Sequence, residues 1–551
     1  MKMPNFTLSL SIQKHTLSNI QNWIERNALS LIVFVLTILS ILLFLFYYLN
    51  GLGLAYNDAR SHLDIGRRVV EGLKPGIAQL GSVWLPLPHV LMIPTIWIDI
   101  FWHSGLSGAL VSMVSFVSMG VIIYLFLKSL GAGLLGRFFG VIVFVANLNI
   151  LYLQSTAMTE LLLMATMTIG CYYLLLWAKK EEVLYLIKSA FFIMLSTLTR
   201  YDGWFLFLFA ALLVAVKVLI KHGFKISLGQ LKEVYQETEG KLILFSTLAG
   251  FGIALWFLWN LVIFKDPLYF AFGPFSARTQ QAQLEAAGEL HTKYNIVLST
   301  VLYLYALIYN SYAFTVILGL FGLIALWFSK IKTEIKVAAM ALLAPLFFNV
   351  LALFLGHSVL FIQGISGNTW FNVRYGIMLL PAIAVFTGFL VDKLKNLRWT
   401  FIGLFAFTTF FAFSSGDSVA IDDARVGSSQ KNVTEVSGWL SRNAKDRTGF
   451  ILISAASHDA IIFSSGLPMK KFIHEGTGAY WESATTAPDR WARWIVMRTH
   501  DDNDLVWKDV SRSEGFKKYI LVDSYPFADI YELDEKYLGD LNTGPTFGKQ
   551  K

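Results

Sequence analysis

The chain is 551 residues long, 55% apolar and only 15% charged, with a formal net charge of +8 and a mean hydropathy of +0.57. That balance excludes a soluble globular protein and points to a membrane protein with polar loops. The basic excess lies beside apolar runs, where anionic headgroups account for it, so nucleic acid is not an expected partner. The sole cysteine, Cys171, falls within an apolar run, which excludes a disulfide framework and a thiolate metal site.

In chain order, Leu29 to Tyr48 is the first apolar run. It is too long for a signal peptide and no small-residue cleavage site follows, so it reads as a retained span. A loop, 51–105, comes next and opens with Tyr56-Asn57-Asp58-Ala59-Arg60-Ser61-His62. Ionisable residues where a chain leaves the bilayer are functional candidates, although Asp58 beside Asn57 also suits a helix cap. Leu63, Val70 and Leu73 recur near helical spacing, which predicts a helix lying flat in the interface, with Arg60, Asp64, Arg67 and Arg68 as a surface ion-pair set. Pro75-Gly76 ends it, and Gly81 to His89, with Trp84, Pro86 and Pro88, leads into a stretch expected to hug the outer face.

Further runs follow at Leu106 to Leu127, Phe138 to Leu153, Leu161 to Trp177, Val183 to Leu198, Trp204 to Leu219, Leu242 to Phe264, Phe314 to Phe328, Val337 to Leu355, Tyr375 to Val391 and Phe401 to Phe413. Each is about long enough for roughly 30 Å of hydrocarbon, giving about eleven spans. Lys and Arg gather on alternate sides, which predicts a cytoplasmic N-terminus (1–28) and an outward-facing Asp58 loop.

Short outer connections then place Glu160 after Met158-Thr159, Arg200 and Asp202 in Thr199-Arg200-Tyr201-Asp202, and Arg374 and Tyr375 after Asn372-Val373, with Pro381 downstream. Four charged loops thus share one membrane side. The longer loop from Lys265 to Asn295, with Arg278, Gln281 and Glu285, reads as a gating segment or a plain connector.

After Ser414 the composition turns polar, and the expected division is 29–414 as a transmembrane part and 415–551 as an extracytoplasmic α/β domain. A helix near Val433 to Leu440, strands at Gly449 to Ile453, Lys471 to Ile473, Trp494 to Met497 and Tyr519 to Val522, and a helical stretch Asp459 to Phe463 suggest a small, Rossmann-like layer. No glycine-rich phosphate loop is present. His458-Asp459 and His474-Glu475 read as scaffold, and Tyr480, Trp481, Trp491 and Trp494 as packing. Asn432-Val433-Thr434 matches a glycosylation sequon.

Together, Asn57-Asp58-Ala59-Arg60, Met158-Thr159-Glu160, Thr199-Arg200-Tyr201 and Val373-Arg374-Tyr375 with Pro381 resemble the GT-C superfamily of polytopic glycosyltransferases, nearest the protein O-mannosyltransferase and lipid A aminoarabinose transferase branch. Asp58-Ala59 departs from the Asp-Glu pair of the mannosyltransferases. The resemblance implies a polytopic α-helical membrane fold of GT-C type with a C-terminal soluble α/β domain. It also implies transfer of a mannose-like hexose from a polyprenyl-phosphate donor to an acceptor hydroxyl on a protein, lipid or polysaccharide outside the cytoplasmic membrane. Asp58 would be the base and Glu160 its catalytic partner, with Arg60, His62, Trp84, His89, Arg200, Tyr201, Asp202, Arg374 and Tyr375 binding substrate. No cofactor is certain; Asp58 and Glu160 are the candidates to hold a divalent metal ion. A transporter or flippase, with the same charges along a pathway, is the rival reading; nearly uncharged span centres and the lack of an internal repeat speak against it.

Overall fold

The computed structural model describes residues 11–223, 228–273, 276–426 and 430–542. The sequon's Asn432 side chain and residues 1–10 lie outside what is described. Among the described residues seven helices are long and apolar enough to cross a bilayer: Gln21–Leu49, Leu106–Ser129, Glu160–Lys180, Asp202–His222, Thr333–Phe354, Val373–Lys393 and Lys395–Arg425. Two bent pairs, Gln230–Ala249 with Phe251–Phe264 and Ile296–Ser311 with Ala313–Trp327, raise the number to nine if each is one span. This is a multi-pass membrane protein.

The expected Phe138 to Leu153 and Val183 to Leu198 crossings appear as shorter helices. The first is broken because Asn147 starts a new helix, its side chain accepting hydrogen bonds from the Asn149 and Ile150 amides. Ile296–Ser311 was not anticipated at all; it meets Ala313–Trp327 at 107°, where Tyr312 takes a positive φ of 61°.

Small residues set the closest helix approach. A Cβ on Gly388 would stand 2.6 Å from the Gly136 carbonyl oxygen, and one on Gly140 2.9 Å from that of Ala384. The Leu134–Val145 and Val373–Lys393 helices therefore pack backbone to backbone, as glycines four apart allow in a bilayer. Pro381 sits in the first turn of the Leu380–Lys393 helix, where its missing N–H costs nothing.

The polar C-terminal region carries a five-stranded sheet ordered β2-β1-β3-β5-β4, with β1 Phe450–Ile453, β2 Phe472–Ile473, β3 Ala492–Met497, β4 Tyr519–Ser524 and β5 Asp529–Leu533. Strand β1 runs parallel to β2 and β3, while β5 pairs antiparallel with β3 and β4. The parallel half fits the Rossmann-like outline; the antiparallel hairpin departs from it, and β5 was not foreseen because its residues read as polar. His458 is scaffold, its Nε2 2.7 Å from Asp504 Oδ2 with both side chains buried. Trp491 and Trp494 pack within this region.

The predicted interfacial helix exists as Asn57–Val70, but it is buried rather than flat on a surface. Its Arg68 pairs with Asp459 at 2.7 Å, its Asp64 accepts from Trp102 Nε1 at 3.0 Å, and its Arg67 reaches Glu71 and Asp99. Nearby, Gln79 donates to the Gly476 carbonyl. Of the supposed surface ion-pair set, Asp64 and Arg68 thus lie in the seam between the 51–105 loop and the C-terminal region, and Arg67 is buried within the loop. The spacing showed a helix and could not show what covers it.

Candidate functional site

The site is built from helix starts and the turns before them. Glu160 opens the Glu160–Lys180 helix, Asp202 opens Asp202–His222, and Arg374 lies in the 3-10 turn Val373–Leu379. Two close approaches place these turns: a Cβ on Gly203 would stand 2.3 Å from Ser196 backbone, and one on Gly376 2.3 Å from Ala306 backbone. Neither turn admits a side chain there.

Arg374 is the centre. Its Nη2 is 2.6 Å from Asp58 Oδ2, its Nε 3.1 Å from Glu160 Oε1, and its Nη1 3.3 Å from Asp423 Oδ2. The guanidinium lies 4.8 Å from the Tyr56 ring centroid and 5.3 Å from that of Tyr375. Glu160, fully buried, also meets Arg200 Nη1 at 3.3 Å, and the Arg200 guanidinium lies 4.9 Å from the Tyr375 ring centroid while its Nε reaches Asp202 at 3.4 Å. Burial by itself would lower the Arg200 pKa, but Tyr375, Glu160 and Asp202 carry it above its ordinary value. Such a network survives burial because each charge has a partner.

Asp58 differs from the rest, its side chain being 44% exposed. Held by a guanidinium on one side and open to solvent on the other, it is a carboxylate of this network that a small molecule can reach. Glu160 Oε2 has no hydrogen-bond partner among the described residues, although the atom is buried.

Two members of the network escaped the sequence reading. Asp423 belongs to the Val419–Val426 helix after the last span, and Tyr56 donates from its hydroxyl to Asp423 at 3.1 Å and to the Ala420 carbonyl at 2.8 Å. Burial first, then the Asp423 charge, pushes the Tyr56 hydroxyl well up, so it stays a donor. Asp422-Asp423 was legible only as a polar pair past the last apolar run.

The other candidates are placed as follows. Arg60 is buried away from the cluster, its Nε donating to the Leu54 carbonyl, with no carboxylate partner among the described residues; burial pulls its pKa down to about 10. The structure does not bring it to Arg374, because the helix turns it toward its own N-terminal side. Tyr201 donates to the Val83 carbonyl at 2.9 Å and so holds the Gly81 to His89 segment instead of facing the cluster. His62 and His89 meet at 2.8 Å, with Trp84 against His62. The Lys265 to Asn295 loop contains the helices Tyr269–Phe272 and Ala277–Ala286.

For a divalent ion the fit is poor. Asp58 and Glu160 are bridged by the Arg374 guanidinium, a cation where the ion would stand, and among the described residues no three His, Cys, Asp or Glu side chains are grouped to hold a metal.

No family model matches the sequence, and no curated protein matches it. Solved structures do. ArnT from Cupriavidus metallidurans bound to undecaprenyl phosphate aligns with a TM-score of 0.53 and 10% identity, covering 90% of this chain and 98% of its own. The apo state of the same protein gives 0.52 and 9%, with the same coverage. The Archaeoglobus fulgidus oligosaccharyltransferase complex with Zn and sulfate, at 0.48 and 12% over 89% of this chain and 71% of its own, is too distant to argue from. The chain therefore has the membrane fold seen in ArnT, with a C-terminal sheet region.

Proposed function

We propose that this chain is an integral-membrane glycosyltransferase that moves a hexose, mannose-like, from a polyprenyl-phosphate donor to an acceptor hydroxyl on the outer face of the cytoplasmic membrane, with inversion at the anomeric carbon. In this reading residues 29–414 carry the reaction, 415–551 form the outer domain, and the N-terminus is cytoplasmic. The observation that carries it is the convergence of Asp58, Glu160, Arg200 and Arg374, from four separate outer turns, on one network. The similarity in fold to ArnT, a structure bound to undecaprenyl phosphate, supports the choice of donor.

The chemistry follows from that network. A donor phosphate meets Arg374 and Arg200, because guanidinium pairs with phosphate oxygens in a fork. In taking Arg374 Nη2 it frees Asp58, whose carboxylate then accepts the acceptor hydroxyl's proton. The hydroxyl oxygen bonds to the anomeric carbon from the face opposite the phosphate, the carbon–oxygen bond to phosphate breaks, and polyprenyl phosphate leaves with its charge on the two arginines. Glu160 keeps both arginines in place. The lipid tail stays in the bilayer throughout, which explains why the site stands at helix ends.

Incubating purified full-length protein with polyprenyl-phosphate hexoses and following release of polyprenyl phosphate tests the proposal. Release that depends on Asp58 and Arg374 is expected; an inert protein across hexose donors, or full activity in Asp58→Asn, overturns it.

A further inference from the structure

Beside the Arg374 network stands a pair of imidazoles, with His62 Nδ1 2.8 Å from His89 Nε2. A neutral imidazole has one N–H and one lone pair, so the position of a single proton decides what His62 offers on its other side. Two features bear on that position. Backbone at Leu85 favours a proton on the His89 ring, and Nδ1 is the ring nitrogen with no hydrogen-bond partner among the described residues. His89 Nε2 is then the acceptor and His62 Nδ1 the donor. Arg200 and Arg374 are the charges that act on His62, and positive charge favours a lone pair over an N–H at the remaining nitrogen. Burial first, then these two cations, pushes the His62 pKa down to about 3, so the ring stays neutral.

His62 Nε2 thus carries a lone pair and has no hydrogen-bond partner among the described residues. Next to it lies half-buried Trp84, with ring centroids 4.4 Å apart. The segment bearing Trp84 is fixed at both ends of its turn, by Tyr201 to the Val83 carbonyl and by Trp259 Nε1 to the Gly81 carbonyl at 2.9 Å. His62 is also one helical turn beyond Asp58, on the same face of the Asn57–Val70 helix.

We infer that His62 and Trp84 form the subsite for the transferred sugar, His62 Nε2 accepting a hydrogen bond from the hydroxyl next to the anomeric carbon and Trp84 packing against the sugar's C–H face. His89 is a positioning residue that holds the His62 tautomer. The inference rests on the glycosyltransferase reading. A phosphodiester donor has two substituents, and the lipid belongs to the bilayer, so the group beside the arginines on the outer side is the sugar. A lone pair repels a second anion and suits an uncharged hydroxyl, and an indole suits the apolar face of a pyranose.

The test compares a polyprenyl-phosphate hexose with its 2-deoxy analogue in wild type, His62→Phe, His89→Gln and His89→Leu, reading kcat/KM from polyprenyl phosphate release. Wild type should prefer the hydroxylated donor by about tenfold, the worth of one such hydrogen bond. In His62→Phe the preference collapses, with the loss falling on the hydroxylated donor alone. His89→Gln, whose carbonyl can accept from His62 Nδ1–H, keeps the preference and His89→Leu loses it; this pair carries the comparison if His62→Phe does not fold. Equal loss on both donors, or no preference in wild type, overturns the subsite while leaving the glycosyltransferase reading intact. A wild type that releases lipid phosphate from neither donor overturns both.

Discussion

Asp58 and Arg374, 316 positions apart in the chain, are joined by a 2.6 Å contact between Oδ2 and Nη2. The partly exposed carboxylate and the buried guanidinium make one unit, so a ligand that takes the cation must displace the acid. Asp58→Asn keeps the size and a polar contact to Arg374 but cannot take a proton. The expected outcome is a fall in kcat of about 10² to 10⁴, the usual worth of a general base, with little change in donor KM, measured by lipid phosphate release.

Arg374 holds three carboxylates, so its removal is structural as well as functional. Arg374→Gln leaves Asp58, Glu160 and Asp423 without their shared cation. A loss of about 3–5 kcal/mol is expected for breaking a buried pair on one side only, seen as a lower melting temperature in detergent. Arg374→Lys restores part of the stability and little of the transfer, since an ammonium cannot reproduce the three-way fork.

Asp423→Asn tests the contact the sequence did not reveal. It removes the negative charge that faces Arg374 Nη1 and the Tyr56 hydroxyl and leaves only a neutral amide oxygen to accept, so the guanidinium is freer to meet a phosphate but less firmly placed. Donor KM and kcat should both change, whereas Tyr56→Phe, which leaves the carboxylate, should change them less; steady-state kinetics over donor concentration separates the two.

The seam between the Asn57–Val70 helix and the C-terminal region should respond to pH. Burial above all raises the Asp459 pKa from 3.8 to about 6, and it raises that of Asp64 as well. A group whose folded pKa lies above its unfolded one stabilises the fold fully below the unfolded value, and that contribution fades as pH rises through the folded value. Melting temperature should therefore decline as pH climbs from about 4 to beyond about 6. Asp64→Asn, neutral at every pH, should flatten the curve.

Membrane sidedness has a clean test because Cys171 is the only cysteine and is buried. Cysteines placed at exposed Glu514 and at Lys332, on opposite expected sides, should label differently with an impermeant maleimide in intact cells: Glu514→Cys labels and Lys332→Cys does not.

Much of the transmembrane pattern was legible because long apolar runs have few other stable homes. Glu160, Arg200 and Arg374 stood out for the related reason that charge at a helix end near the bilayer is costly without a partner. The same reasoning misled where charge density resembled ordinary surface: Asp64, Arg67 and Arg68 looked solvated, yet they are packed away from solvent, and Arg60 looked like a substrate ligand, yet it turns to the Leu54 carbonyl. Ile296–Ser311 was overlooked because Asn310, Ser311, Thr300 and three tyrosines dilute its hydropathy, although Asn295 caps it in plain view.

What the amino-acid sequence determined by itself was the solvent of each segment, since hydrophobicity and helical period are local properties that transfer free energy reads directly. Which charge meets which was decided only by the tertiary structure. Close backbone packing at Gly136, Gly140, Gly203 and Gly376 fixes where the turns end, and a hydrogen bond acts over about 3 Å, so contacts such as Arg374 with Asp423 or His62 with His89 exist only after distant segments have been brought to register.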